Sequence, residues 1–113
     1  MKESEQLKMV KKHGTAIQYI KNPSKKTQLE AVKRYGYAIQ YIKNPSEKVQ
    51  LAAIKNNGYA IEYIINPSEK AQLAAIEKYH IAIKYIENPS EKVKLILKMN
   101  KLEQLIMFNI LCK

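Results

Sequence analysis

At 113 residues, 46% of them hydrophobic, the chain is sized for one domain and too apolar for a disordered tail. Its 20 Lys and Arg stand against 10 acids, all Glu, for a formal charge of +10 that favours acidic partners over basic ones. A lone cysteine, Cys112, excludes an internal disulfide, and no run approaches the roughly 18 apolar residues of a membrane span.

The opening Met1-Lys2-Glu3-Ser4-Glu5 lacks the apolar core of a secretion signal, so a cytoplasmic protein without a membrane partner is expected. The charge is uneven. Residues 1–44 carry a net +7, residues 45–88 a net 0 and residues 89–113 a net +3. The basic N-terminal half suits nucleic acid or an acidic protein, and a merely solubilising surface has an equal claim.

An Asn-Pro pair stands at Asn22, Asn44, Asn66 and Asn88, so the chain repeats every 22 residues. The units are 1–22, 23–44, 45–66, 67–88 and a degenerate C-terminal cap, 89–113, within a single helical-repeat domain. A fixed period of this length is the signature of a solenoid. The expected fold is all-α: a right-handed α-solenoid of about five helix-turn-helix units.

Asn44-Pro45-Ser46-Glu47 reads as a helix start, with Asn44 as N-cap, Pro45 at the first helical position and Glu47 reaching back to the cap. Asn66 and Asn88 read the same way, whereas Lys25 replaces the Glu after Asn22. The first helix then runs about 12 residues to a glycine, with Gly14, Gly36 and Gly58 as left-handed C-caps and His80 in the matching fourth position. The second helix, about eight residues such as Tyr59 to Ile65, is short enough to take 3₁₀ geometry.

Recurrence marks the core. On the first helix Gln50, Leu51, Ala53 and Ile54 share an arc of helical spacing, and on the second Ala60, Ile61, Tyr63 and Ile64 recur. Gln6, Gln28, Gln50 and Gln72 place amides inside an apolar stripe, where they need hydrogen-bond partners. A ladder to the turn or cap Asn of the adjacent unit is the favoured reading over a ligand-reading row. Tyr19, Tyr41, Tyr63 and Tyr85 form a second row, read as packing with wet tips in preference to a nucleobase-stacking surface.

In the last unit Leu102 stands where glycine is expected, so one helix is expected to continue from Pro89 through Leu111. Its apolar residues, Leu105, Phe108 and Leu111 among them, fit either a bent-back cap or a homodimer contact, with the cap preferred.

Asn44-Pro-Ser-Glu-Lys-Val-Gln-Leu-Ala-Ala-Ile54 resembles the HEAT-repeat pattern, in which Asp-Pro-x-x-x-Val-Arg precedes two alanines. It also resembles variant leucine-rich repeats with alternating α and 3₁₀ helices. With Gly58-Tyr-Ala-Ile-x-Tyr-Ile64, the 22-residue form is similar to helical repeats of phage and bacterial proteins. The likeness covers residues 1–88 well and 89–113 poorly, and Asn44 and Gln50 stand where HEAT units carry Asp and Arg. It implies binding without chemistry. A small phage- or mobile-element-type protein would act in the host bacterial cytoplasm, binding and inhibiting a host protein or nucleoprotein complex.

Nothing in the residues suggests an enzyme. His13, His80 and Cys112 lie far apart, so neither a metal site nor a cofactor is expected, and three isolated glycines do not build a phosphate loop. Binding specificity is expected where the units differ. Tyr37, Tyr59 and Ile81, with Gln40, Lys43 and Ile65, form the candidate protein-binding stripe, unless neighbouring units cover the tyrosines. Lys11, Lys12, Lys33, Arg34 and Lys55 form the candidate nucleic-acid row, where the helix dipole offers them a competing structural role.

Overall fold

The 22-residue period becomes an alternation of two helix types. The computed structural model describes residues 1–112 and is all-helical, with no strand among them. Its α-helices are α1 (Glu3–Lys12), α2 (Lys25–Arg34), α3 (Glu47–Asn56), α4 (Glu69–Lys78), α5 (Glu91–Leu97) and α6 (Lys101–Leu111). Between them lie four 3₁₀ helices of six residues, η1 (Gly14–Tyr19), η2 (Gly36–Tyr41), η3 (Gly58–Tyr63) and η4 (His80–Tyr85). The second helix of each of the first four units is therefore wholly 3₁₀, as its short length allowed.

Each α-helix packs on the next, α1 on α2 through α4 on α5, and the 3₁₀ helices pack on one another in the same order. The resulting body measures 49 × 23 × 17 Å. Its core is a file of small and branched side chains, Ala53, Ile54, Ala60, Ile61 and Ile64 in the third unit with equivalents in the others. Two expectations about the core are corrected. Val49 is buried and Leu51 only half-buried, because the inward arc of α3 is centred on Val49, Gln50, Ala53 and Ile54, with Leu51 at its edge. Tyr63 is 40% exposed, because Ile61 and Ile64 fill the inner face of η3.

The helix start is corrected as well. Ser46, Ser68 and Ser90 are the N-caps, their hydroxyls accepting from the N–H groups of Val49, Ala71 and Val93. Pro therefore precedes the cap, and Glu47 occupies the first helical position, where its charge suits the dipole. Asn22 and Asn44 instead turn the chain, with φ of 56° and 49°, a region that Asn tolerates better than most residues.

The Gln row is a hydrogen-bond ladder, with partners other than the Asn expected. Gln50 Oε1 accepts from Ser68 N–H at 2.9 Å, and its Nε2 donates to Pro45 C=O at 3.1 Å. Gln72 repeats both bonds with Ser90 and Pro67. Gln6 accepts from Ser24 N–H and from the Thr27 hydroxyl, which explains a buried Thr where later units carry Val or Ala. Half-buried Gln28 keeps the bond to Pro23 C=O.

The glycines are not left-handed, since no glycine has positive φ. They are small because the next unit touches them. A Cβ on Gly36 would lie 2.6 Å from Ala53 O, and one on Gly58 2.6 Å from the Tyr79 ring. Asn56 tightens the first of these junctions by accepting from Gly36 N–H at 2.7 Å and donating to Lys33 C=O.

The C-terminal unit does not continue as one helix. It breaks after Leu97, and Asn100 and Glu103 form a capping box that starts α6. α6 folds back on α4 and α5, as the cap reading anticipates. Phe108 is buried, and buried Gln104 donates to Ile96 C=O and Met99 C=O at the end of α5.

Candidate protein-interaction surface

The Asn-Pro corners and the ends of the 3₁₀ helices meet at one edge of the molecule. Because Ile42, Ile64 and Ile86 turn inward, the residues beside them turn out. Two open grooves result, each between successive units. The first, about 670 Å³, is lined by Gln40, Tyr41, Lys43, Tyr63 and Ile65, among others. The second, about 570 Å³, repeats it one unit on with Glu62, Tyr63, Ile65, Lys84, Tyr85 and Glu87. Tyr63, Ile64, Ile65 and Asn66 line both, so the two grooves lie side by side along this edge as one trough with a shared wall.

Of the candidate protein-binding residues, Gln40, Lys43 and Ile65 come together here, and Ile65 is 88% exposed. Tyr37 and Tyr59 lie outside the groove linings and are half-buried. Tyr37 packs edge-on against Tyr63 at 5.4 Å and against Tyr35, while Tyr59 stacks on Tyr79 at 4.7 Å and meets Tyr85 edge-on. They support the trough's aromatic walls. Ile81 is exposed at the start of η4.

The tyrosines that sequence reasoning assigned to packing, Tyr41, Tyr63 and Tyr85, are the ones facing the trough. Their recurrence concealed this, since it satisfied the criterion for core. The Glu62 carboxylate beside Tyr63, with partial desolvation, raises the pKa of the phenol above its ordinary value.

Lys11, Lys12, Lys33, Arg34 and Lys55 are exposed at the ends of α1 to α3, where they face the negative end of each helix dipole. Arg34 also pairs with Glu30 at 3.7 Å. In α6, Phe108 and Leu111 pack inward, leaving Leu105 exposed with Leu102, Ile106 and Ile110. His13 and His80 are exposed at the α-to-3₁₀ junctions of the first and fourth units, and no group of three metal-ligating side chains converges among the described residues. No helix there is long and apolar enough to cross a membrane.

Comparison of the chain with protein-family models, with curated proteins and with solved structures found no match.

Proposed function

We propose that the chain is a non-enzymatic binding module, a right-handed α-solenoid whose trough takes a protein partner. The observation that carries this reading is Ile65, 88% exposed between the Tyr41 and Tyr85 walls on a trough where the positions of Gln40, Glu62 and Lys84 and of Lys43, Ile65 and Glu87 change from unit to unit. A scaffold fixed by recurring residues with a variable, partly apolar edge is the arrangement of an interaction surface. The 22-residue units and small size fit a phage- or mobile-element-type inhibitor or adaptor acting on a host complex in the bacterial cytoplasm.

Affinity capture from a bacterial lysate, with and without nuclease, tests the reading. A protein retained after nuclease treatment and lost with Ile65→Glu supports it. Capture indifferent to Ile65→Glu, or abolished by nuclease, sinks it.

The exposed basic row favours a second reading, a nucleic-acid-binding solenoid contacting phosphates through Lys11, Lys12, Lys33, Arg34 and Lys55. That reading requires DNA or RNA binding that weakens steeply with salt. The outer face of α6 supports a third, a homodimer through Leu105 and its exposed neighbours, for which sedimentation of Leu105→Glu against the parent is the test.

A further inference from the structure

The residue before each Asn-Pro reads Lys21, Lys43, Ile65 and Glu87, and all four are exposed. Lys43 and Ile65 border one groove, Ile65 and Glu87 the next, so successive rungs of this row follow the trough. The groove between the second and third units carries one formal charge, that of Lys43. The next carries Glu62 and Glu87 against Lys84, a net negative charge. Lys21 holds the same repeat position in the first unit, beyond the two grooves, and extends the row of exposed residues at its positive end. The trough is therefore polar along its length: basic, apolar, then acidic.

Two recurring features of the same edge point to a type of backbone. Tyr41, Tyr63 and Tyr85, each 40% exposed, supply one aromatic wall per unit. Asn44, Asn66 and Asn88 supply one amide per unit, and the capping role expected of them is held by Ser46, Ser68 and Ser90.

Spacing then selects the conformation. Packed helices lie about 8–10 Å apart, which sets the distance between rungs. A polyproline II chain presents the same face every third residue, about 9 Å on, whereas a β-strand does so every second residue, about 7 Å on. Aromatic-lined grooves are also the surfaces on which polyproline II segments dock.

We propose that the trough binds an extended, proline-rich peptide in polyproline II conformation whose charge runs opposite to its own. Acidic side chains three residues apart face Lys21 and Lys43, an apolar side chain three residues on covers Ile65, and a basic one faces Glu87. Prolines pack on the tyrosines, and the Asn amides bond the peptide's free carbonyls. This rests on the protein-binding reading above and specifies the partner's chemistry.

The probe is the synthetic peptide Asp-Pro-Pro-Asp-Pro-Pro-Leu-Pro-Pro-Lys, titrated by fluorescence anisotropy at low salt against the whole protein. Its control exchanges every Asp for Lys and the Lys for Asp. Each exposed pair contributes modestly, so the matched peptide is expected to bind about tenfold tighter than the control. Lys43→Glu, an exposed substitution checked by circular dichroism, should weaken the matched peptide about fivefold and strengthen the control. Tyr63→Ala should weaken both. Equal affinity for the two peptides, indifference to Lys43→Glu, or no saturable binding overturns the proposal. If captured protein is still lost with Ile65→Glu in that case, the general reading stands and only the peptide's chemistry is refuted; if capture fails too, both fall.

Discussion

Gln72 Oε1 accepts the Ser90 N–H at 2.8 Å, so a side chain of one unit closes the first turn of the next unit's helix. The same amide donates to Pro67 C=O in its own unit. It therefore fixes the register of two units with one planar group. Gln50 does the same with Ser68 and Pro45.

Replacing Gln50 or Gln72 with Leu removes both bonds and strands a backbone N–H and a C=O at the junction. A loss of about 1–3 kcal/mol in urea unfolding is expected for each. Gln28→Leu should cost less, since Gln28 is half-buried. Equal losses at all three sites would refute the ladder as a source of stability.

The serine caps make a separate prediction. Ser46→Ala, Ser68→Ala and Ser90→Ala should each lower stability by about 1 kcal/mol. Asn66→Ala should leave unfolding nearly unchanged, because the serine holds the cap. The reverse ranking would restore Asn as the cap.

This slip of two positions shows what local sequence leaves open. Asn and Ser are both strong caps, and Pro fits either just before or just after one, so Asn-Pro-Ser-Glu supports two frames. At Ser68 the serine frame is reinforced from 18 residues away, where Gln50 Oε1 accepts the Ser68 N–H. The alternation of a longer and a shorter helix was legible, because period, Pro and Gly punctuate it locally. The capping box Asn100-x-x-Glu103 is a local signal too, but it falls outside the 22-residue frame, in which Leu102 holds the place of glycine. The trough was partly legible: Gln40, Lys43 and Ile65 were found from their drift between units, whereas Tyr41, Tyr63 and Tyr85 were hidden by recurring.

Gly36→Ala should be severely destabilising, by about 2 kcal/mol or more, because the new methyl meets the backbone carbonyl of Ala53 at 2.6 Å. Gly58→Ala meets the Tyr79 ring instead, which can swing outward at the expense of its stack on Tyr59. A smaller loss is expected there. Thermal melts of the two variants side by side check the order.

Phe108 anchors α6, and Phe108→Ala should cost about 3 kcal/mol in urea unfolding. Leu102→Ala, on the exposed face of the same helix, should change stability by less than about 0.5 kcal/mol. Similar losses from both would mean that the outer face is covered in solution.

Cys112 provides a pH readout of the same docking. Although Cys112 is exposed, partial desolvation first, then a hydrogen bond and the charge of Glu77, push its thiol from 9.0 up to about 11. Alkylation by iodoacetamide should therefore be slow at pH 9 in the folded protein and fast in urea. A raised folded pKa means that the unfolded thiol ionises first, so this contribution to stability is complete below pH 9 and is lost as pH rises toward 11. Glu77→Gln should move the alkylation midpoint down. An unchanged midpoint would place the thiol away from Glu77.

His80 holds the position that glycine holds in the three preceding units, and it is exposed. At Gly14 and Gly36 a backbone carbonyl of the next unit leaves no room for a side chain, and at Gly58 the Tyr79 ring of the next unit does the same. The helix that follows η4, α5, is only seven residues long, and the His80 side chain stands exposed, so the close approach that demands glycine at the earlier junctions does not recur at this one.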